Sequence, residues 1–355
     1  AAWDSEEQGL IGSTEWVDHH ASELDRHAVA YINTDGNARG FLNIAGSHTL
    51  ERFFNQIARD VVDPQTGVSL ADRLRARMLV SGDETQRQEV AERDDLRIAA
   101  LGSGSDYSPF LQHLGIASVH LSFSGEGPGG SYHTLYDTYE HYTSFRDPGL
   151  VYSDALARVA GRATLRLANA RILPFEFTGF TDTIELYLSE LEELADEMRT
   201  ETARVNALID DGIYDIALDP TKSLGPPKAE SPVPYFNFAP LSNSLQLLQN
   251  AAASFEHALE NGDVRANELA ELNAFLYSSE RLLTREAGLE GRPWYRHHIY
   301  APGFYTGYGV KTIPGVRESI EQRSFDAVDS QIELAASVLG DMAERIEMAA
   351  GYLDP

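Results

Sequence analysis

Cysteine is absent from the chain, so it can hold neither a disulfide nor a thiolate metal site. A cysteine-free protein tolerates either redox environment, which leaves the compartment open. Lysine is almost absent: Lys222, Lys228 and Lys311 are the whole set, and arginine carries nearly all the positive charge. Positive charge is itself scarce, with 28 Lys and Arg against 55 Asp and Glu and a formal net charge of −27. That balance argues against nucleic acid and anionic membranes as partners. An acidic, lysine-poor surface fits a salt-adapted source or a GC-rich genome equally well. No run reaches the roughly 18 uninterrupted apolar residues of a membrane span, and no basic, apolar leader opens the sequence.

What is present suits a globular protein with a large core: 355 residues, 43% of them hydrophobic, enough for two domains. The first part alternates strands and helices. Apolar runs at 29–33, 96–101 and 116–123 read as strands, and 13–27, 47–62 and 108–114 read as helices. This order predicts an α/β fold with a mostly parallel sheet. Ligands in such folds gather beyond the carboxyl ends of the strands, where Asp35, the Ser103-Gly104-Ser105-Asp106 turn and the glycine-rich 125–130 stretch fall. Beyond about residue 145 the pattern turns helical. Helices are expected at 148–171, 181–210, 241–260, 264–283 and 315–350, forming a bundle. A proline-rich stretch over 220–240 reads as a long ordered loop, and an aromatic, glycine-rich segment over 292–314 interrupts the bundle.

The chemistry concentrates at the start. In AAWDSEEQGLIG the adjacent carboxylates Glu6 and Glu7 sit in a turn that leads into a helix. Neighbouring side chains in such a turn point different ways, so one can bind a metal while the other handles a proton. No strand precedes this turn, so the chain is expected to begin in the middle of an active site. Glu7, Asp35 and His133 have the oxygen and imidazole donors that zinc takes without cysteine. Simpler roles exist for each. An acidic pair at a helix start can be a dipole-favoured cap, an Asp after a strand can cap a turn, and a lone His can be a hydrogen-bonded structural residue.

Five dispersed motifs decide between these roles: WDSEEQGLIGSTEW, VAYINTD, LGSGSDYSPFLQHLGIAS, YHTLYDTYEHY and RPWYRHHIYAP. In order and spacing they resemble the family of glutamate carboxypeptidase II and the transferrin receptor, over nearly the whole chain. The resemblance implies that residues 1–175 are the C-terminal part of a zinc-peptidase α/β domain and 176–355 a helical dimerisation domain. It implies a co-catalytic pair of zinc ions. Glu6 falls on the general base and Glu7 and Asp35 on ligands of the two zincs. His133 is a further ligand, and Tyr132 is the hydroxyl that steadies the developing oxyanion. Ser103, Gly104, Ser105, His120, Ser122 and Tyr308 fall on substrate-binding positions. Glu15 and Asp18, three apart on one helix face, match a calcium pair; two solvated acids are the alternative. The family setting favours a secreted or cell-envelope location and a homodimer paired through the helical domain.

Two departures limit what the chain does alone. The family's other zinc ligands include a His-x-Asp upstream of the Glu-Glu pair, and none of the eleven histidines here opens one. The chain is therefore expected to be an inactive C-terminal portion of a di-zinc exopeptidase, with the N-terminal half in another chain or absent. The glutamate clamp is also changed. His120 and Ser122 replace two arginines, Ser105 an amide-bearing residue and Gly307 a lysine beside the retained Tyr308. His and Ser cannot form a bidentate carboxylate fork. The expected substrate is a small peptide without a C-terminal glutamate, read by Phe123, Phe304 and Tyr305. The competing expectation is a non-catalytic binding and dimerisation protein of the transferrin receptor kind.

Overall fold

In the computed structural model the described residues are 1–127, 129–219, 221–222 and 225–353. Pro128 of the glycine-rich stretch, and Pro220, Ser223 and Leu224 of the proline-rich one, lie outside them. The first helix, α1 (Ile11–His27), follows the Glu6-Glu7 turn. Strands β1 (Tyr31–Asn33), β2 (Gly40–Gly46) and β3 (Ser118–Gly125) form a sheet in the order β1-β3-β2. Between β2 and β3 lie α2 (Glu51–Asp60), α3 (Leu70–Ser81) and α4 (Glu84–Glu92). The short α5 (Tyr139–His141) leads to α6 (Val151–Asn169), which packs on β3.

The sheet is mixed, not mostly parallel. β1 runs parallel to the central β3, and β2 runs antiparallel to it in an unbroken register from Gly40↔Gly125 to Gly46↔Val119. Two expectations fail together here. The 96–101 run makes only a single parallel bridge, Ala45↔Ala99. Side chains satisfy its backbone instead. Asn55 Oδ1 accepts from Leu96 N at 2.9 Å, Glu51 Oε2 accepts from Ile98 N at 2.9 Å, and His48 Nε2 donates to Ile98 O at 2.9 Å. The sequence reading also missed β2. Its first residue, Gly40, has φ +137, and a Cβ there would lie 2.1 Å from Ser124 O, so close pairing with β3 requires glycine.

The helical half contains α7 (Thr178–Asp210), α8 (Ile213–Ala217), α9 (Ala239–Asn261), α10 (Leu269–Ser278), the β4 (Tyr300–Pro302) and β5 (Val310–Thr312) hairpin, α11 (Pro314–Glu321) and α12 (Phe325–Gly351). α7 buries Phe180, Ile184, Leu188, Leu191 and Ala195 at helical spacing. Beyond that apolar stripe its last turns lean on the proline-rich segment: Asn206 Nδ2 donates to Glu230 O at 2.7 Å, and Glu230 N donates back to Asn206 Oδ1 at 3.0 Å. The expected helix over 315–350 is two. Arg323 adopts φ +59 between them, and Ser324 N donates to Ser319 O at 2.9 Å. The 108–114 segment is a wide π-type turn at Pro109–His113. One hydrophobic cluster runs from Phe54, Leu121 and Phe123 through Phe177 and Phe180 to Leu248, Leu339 and Met342, so both halves share a core.

Candidate functional site

The Glu6-Glu7 turn is held by its own backbone. Glu6 O accepts from Gly9 N at 2.9 Å and Leu10 N at 2.8 Å, and Ser5, at φ +58, turns the chain back so that Ile11 N reaches Ser5 O at 3.1 Å. Gly12 lets the turn lie flat on α1, since a Cβ there would sit 2.2 Å from Asp4 O. Held this way, Glu6 and Glu7 diverge. Glu7 Oε2 stands 3.1 Å from His133 Nε2, and both side chains are more than half exposed. Glu6 faces other acids. Burial, then the negative charges of Glu7, Asp106 and Asp35, push its carboxyl above the ordinary range.

His133 and Tyr132 arrive from the far end of β3. Arg73 anchors the exit of that strand, 2.5 Å from both Asp63 and Glu126. Farther on, Thr134 N donates to Ser131 O at 3.0 Å, and His133 takes φ +58. The Tyr132 ring stacks on His133 with centroids 3.7 Å apart. Partial burial and then the charges of Glu7 and Glu6 raise the Tyr132 hydroxyl, which keeps it a proton donor at neutral pH.

Asp35 lies two residues beyond β1 and does not join Glu7 and His133. Asn33 Nδ2 donates to its Oδ1, and His120 Nδ1 lies 3.7 Å from the same oxygen. Ser105 Oγ accepts from Asn33 Nδ2 at 2.9 Å. The Ser103–Ser105 turn carries the loop from the helical half: Ser103 N donates to Tyr308 O at 3.1 Å, and the face of Gly104 lies against the Tyr308 ring. Gly102 must be glycine, because a Cβ would meet Tyr308 O at 1.9 Å. His120 and Ser122 share one face of β3, opposite buried Val119, Leu121 and Phe123. The structure thus gathers Glu6, Glu7, Asp35, Tyr132, His133, the 103–105 turn, His120 and Tyr308 at one end of the sheet.

Two expectations are corrected. Phe123 does not read a substrate; it is 1% exposed and packs 5.2 Å from Tyr152 in the core. Phe304 and Tyr305 line a separate cavity with Leu289, Glu318 and Gln331. Glu15 and Asp18 both lie on α1, where Asp18 sits 3.6 Å from His113 Nε2.

Among the described residues, no group of three or more His, Asp or Glu side chains is arranged to hold a metal ion. Glu7 and His133 are of the donor types zinc takes, and they converge. They make two donors of the usual four, so the residues present fit half a zinc centre. The sequence reading gave Asn33 no role and named Asp106 only as part of its turn. Asn33 is 5% exposed and touches Asp35, Ser105 and His120. Asp106 is 9% exposed with Oδ1 unpartnered, and burial raises its carboxyl. The available signal was a polar residue closing an apolar strand, and an acid at the end of the Gly-Ser-Gly-Ser-Asp turn.

Residues 1–147 match the model of peptidase family M28, and residues 236–347 match the transferrin receptor-like dimerisation domain. The chain belongs to the transferrin receptor-like M28 peptidases. It is similar to a probable glutamate carboxypeptidase of Arabidopsis thaliana, 31% identical over 322 residues, covering 90% of this chain and 39% of the relative. One from Arthroderma benhamiae is 30% identical over 356 residues, covering 99% and 42%. The aminopeptidase NAALADL1 of Rattus norvegicus is 25% identical over 371 residues, covering 100% and 44%. The chain therefore spans about two fifths of the length of these curated relatives. M28 is a metal-dependent peptidase family, and the M28 match ends at residue 147, just after the Tyr132-His133 pair.

Proposed function

We propose that this chain is the part of a zinc exopeptidase that supplies the general base, one ligand pair and the dimerisation domain, and that it is inactive alone. The observation that supports this most is the contact between Glu7 and His133, 126 positions apart, at 3.1 Å beside Glu6. Asp35, held by Asn33, provides a further donor, and the remaining ligands come from outside this chain. Zinc, when bound, supplies Lewis-acid polarisation of the scissile carbonyl and of water. Glu6 takes the proton of the attacking water on its carboxylate and passes it to the leaving amine. The Tyr132 hydroxyl donates to the developing oxyanion. The substrate is a small peptide. With His120 and Ser122 on the wall of the site, no arginine fork holds a C-terminal carboxylate there, so glutamate is not selected.

The helical half, residues 176–355, pairs two copies; the match to a dimerisation domain supports this. A second reading is a non-catalytic binding and dimerisation protein, supported by the match to the transferrin receptor-like dimerisation domain. Metal analysis after chelation and zinc reloading separates the two. The peptidase reading expects weak, substoichiometric zinc that disappears in Glu7→Ala and in His133→Ala. Zinc uptake unaffected by either substitution refutes it.

A further inference from the structure

A directed chain of hydrogen bonds runs into the site from the N-terminal segment. Trp3 Nε1 donates to Tyr31 Oη at 3.0 Å. Indole nitrogen is a donor only, so this bond occupies a lone pair of the phenol oxygen and leaves the phenol proton free. Tyr31 Oη donates that proton to Asn33 Oδ1 at 3.0 Å. The Asn33 amide is then oriented, carbonyl toward Tyr31 and NH2 toward the site. Three acceptors meet its two N–H bonds: Asp35 Oδ1, Ser105 Oγ at 2.9 Å and His120 Nδ1 at 3.0 Å. The reverse orientation would place the amide oxygen against a carboxylate and an imidazole lone pair. The start of the relay is itself packed. Trp3 lies 6.0 Å from Phe110, and Tyr31 stacks on Phe110 at 3.9 Å.

We infer that Asn33 is a positioning residue whose amide, oriented by the Trp3–Tyr31 pair, sets the Asp35 carboxylate and fixes His120 in its Nε2–H tautomer. The inference rests on the peptidase reading only for what Asp35 does once it is set. Asn33 touches no reacting atom; it acts through the two side chains it holds. Its consequence for specificity is that, with Nδ1 occupied by Asn33, His120 turns its Nε2 to whatever occupies the site. An Nε2–H donor suits a carbonyl or hydroxyl of a peptide substrate.

The test uses the full chain, without metal, at a pH where imidazole is neutral. Nitrogen-15 spectra of His120 should show proton-free Nδ1 in the unsubstituted protein. Asn33→Leu should give a mixture of tautomers, because Nδ1 loses its donor. A second arm titrates zinc alone. Loss of an outer hydrogen-bond partner weakens metal binding 10–100-fold in typical sites, and Asn33→Leu should fall in that range. Tyr31→Phe deletes one oxygen, keeps the stack on Phe110 and frees the amide; it should move both readouts in the same direction by less. A folded Asn33→Leu chain with an unchanged His120 tautomer overturns the inference. If Asn33→Leu does not fold, an unchanged tautomer in Tyr31→Phe overturns it instead. An unsubstituted chain that takes up no zinc refutes the peptidase reading, while the tautomer arm still decides the role of Asn33.

Discussion

Acidification should destabilise the chain through His48, by an amount the structure sets. The ring is completely buried. Its Nε2 donates to Ile98 O at 2.9 Å, and its Nδ1 accepts from Tyr300 Oη at 2.8 Å. A second proton would have to enter at Nδ1, displacing the phenol bond and placing a charge in the core near Arg97 and Arg93. Burial first, and then those arginines, lower the pKa from 6.5 to about 3. A histidine depressed in the folded state binds fewer protons than the unfolded chain between the two values. Stability therefore rises with pH across that window and is lost as pH falls below 6.5. The slope is a little over 1 kcal/mol per pH unit, so about 2 kcal/mol is gone between pH 7.5 and pH 5. Urea unfolding of the unsubstituted chain and of His48→Leu at both values isolates this contribution. The substitution also leaves Ile98 O and Tyr300 Oη unpaired, a cost that does not vary with pH. The stability difference between the two proteins should shrink by about 2 kcal/mol at pH 5. A difference constant from pH 7.5 to pH 5 would show that His48 accepts a proton inside the fold, and the reasoning fails.

Other outcomes can be checked separately. In a complete enzyme containing this chain, Glu6→Gln should lower turnover by roughly 10²–10⁴-fold while zinc content is kept, because an amide cannot take the proton. Near-normal turnover in the zinc-loaded variant removes Glu6 from that role. On a panel of dipeptides, those ending in glutamate should not rank first, since no arginine faces the site from β3; a clear glutamate preference refutes that reading of His120 and Ser122. Light scattering across a salt series should show dimer strengthening with salt, because −27 per chain opposes pairing over long range. A monomer at every salt and at high protein concentration speaks against pairing through the helical half.

Legibility followed the range of the interactions involved. The α7 and α9 helices could be read from the sequence because their periodicity is local, and a helix satisfies its own backbone. The Glu6-Glu7 turn, the strand leading to Asp35 and the His133 segment were readable as motifs for the same reason. The α11–α12 break was not: it sits at Arg323, whose guanidinium donates to Thr202 Oγ1 at 3.2 Å and to Ser231 O, partners far away in the chain.

By itself the sequence determined the charge, the absence of thiols, the family and the acids and histidine that could do chemistry. Only the tertiary structure decided which of them meet. A run such as 96–101 looks like a strand whether a neighbouring strand or the side chains of Glu51, Asn55 and His48 satisfy its backbone. The side of β3 that faces the core depends on pairing register, which buried Phe123 and left His120 and Ser122 on the other face. Glu7 reached His133 while Asp35 was turned to Asn33, because each carboxylate goes to the nearest donors that the folded backbone offers. Glu7 and His133 come from distant segments, and the amide of Asn33, though two residues from Asp35, is aimed by distant Ser105 and His120; local residue patterns encode neither.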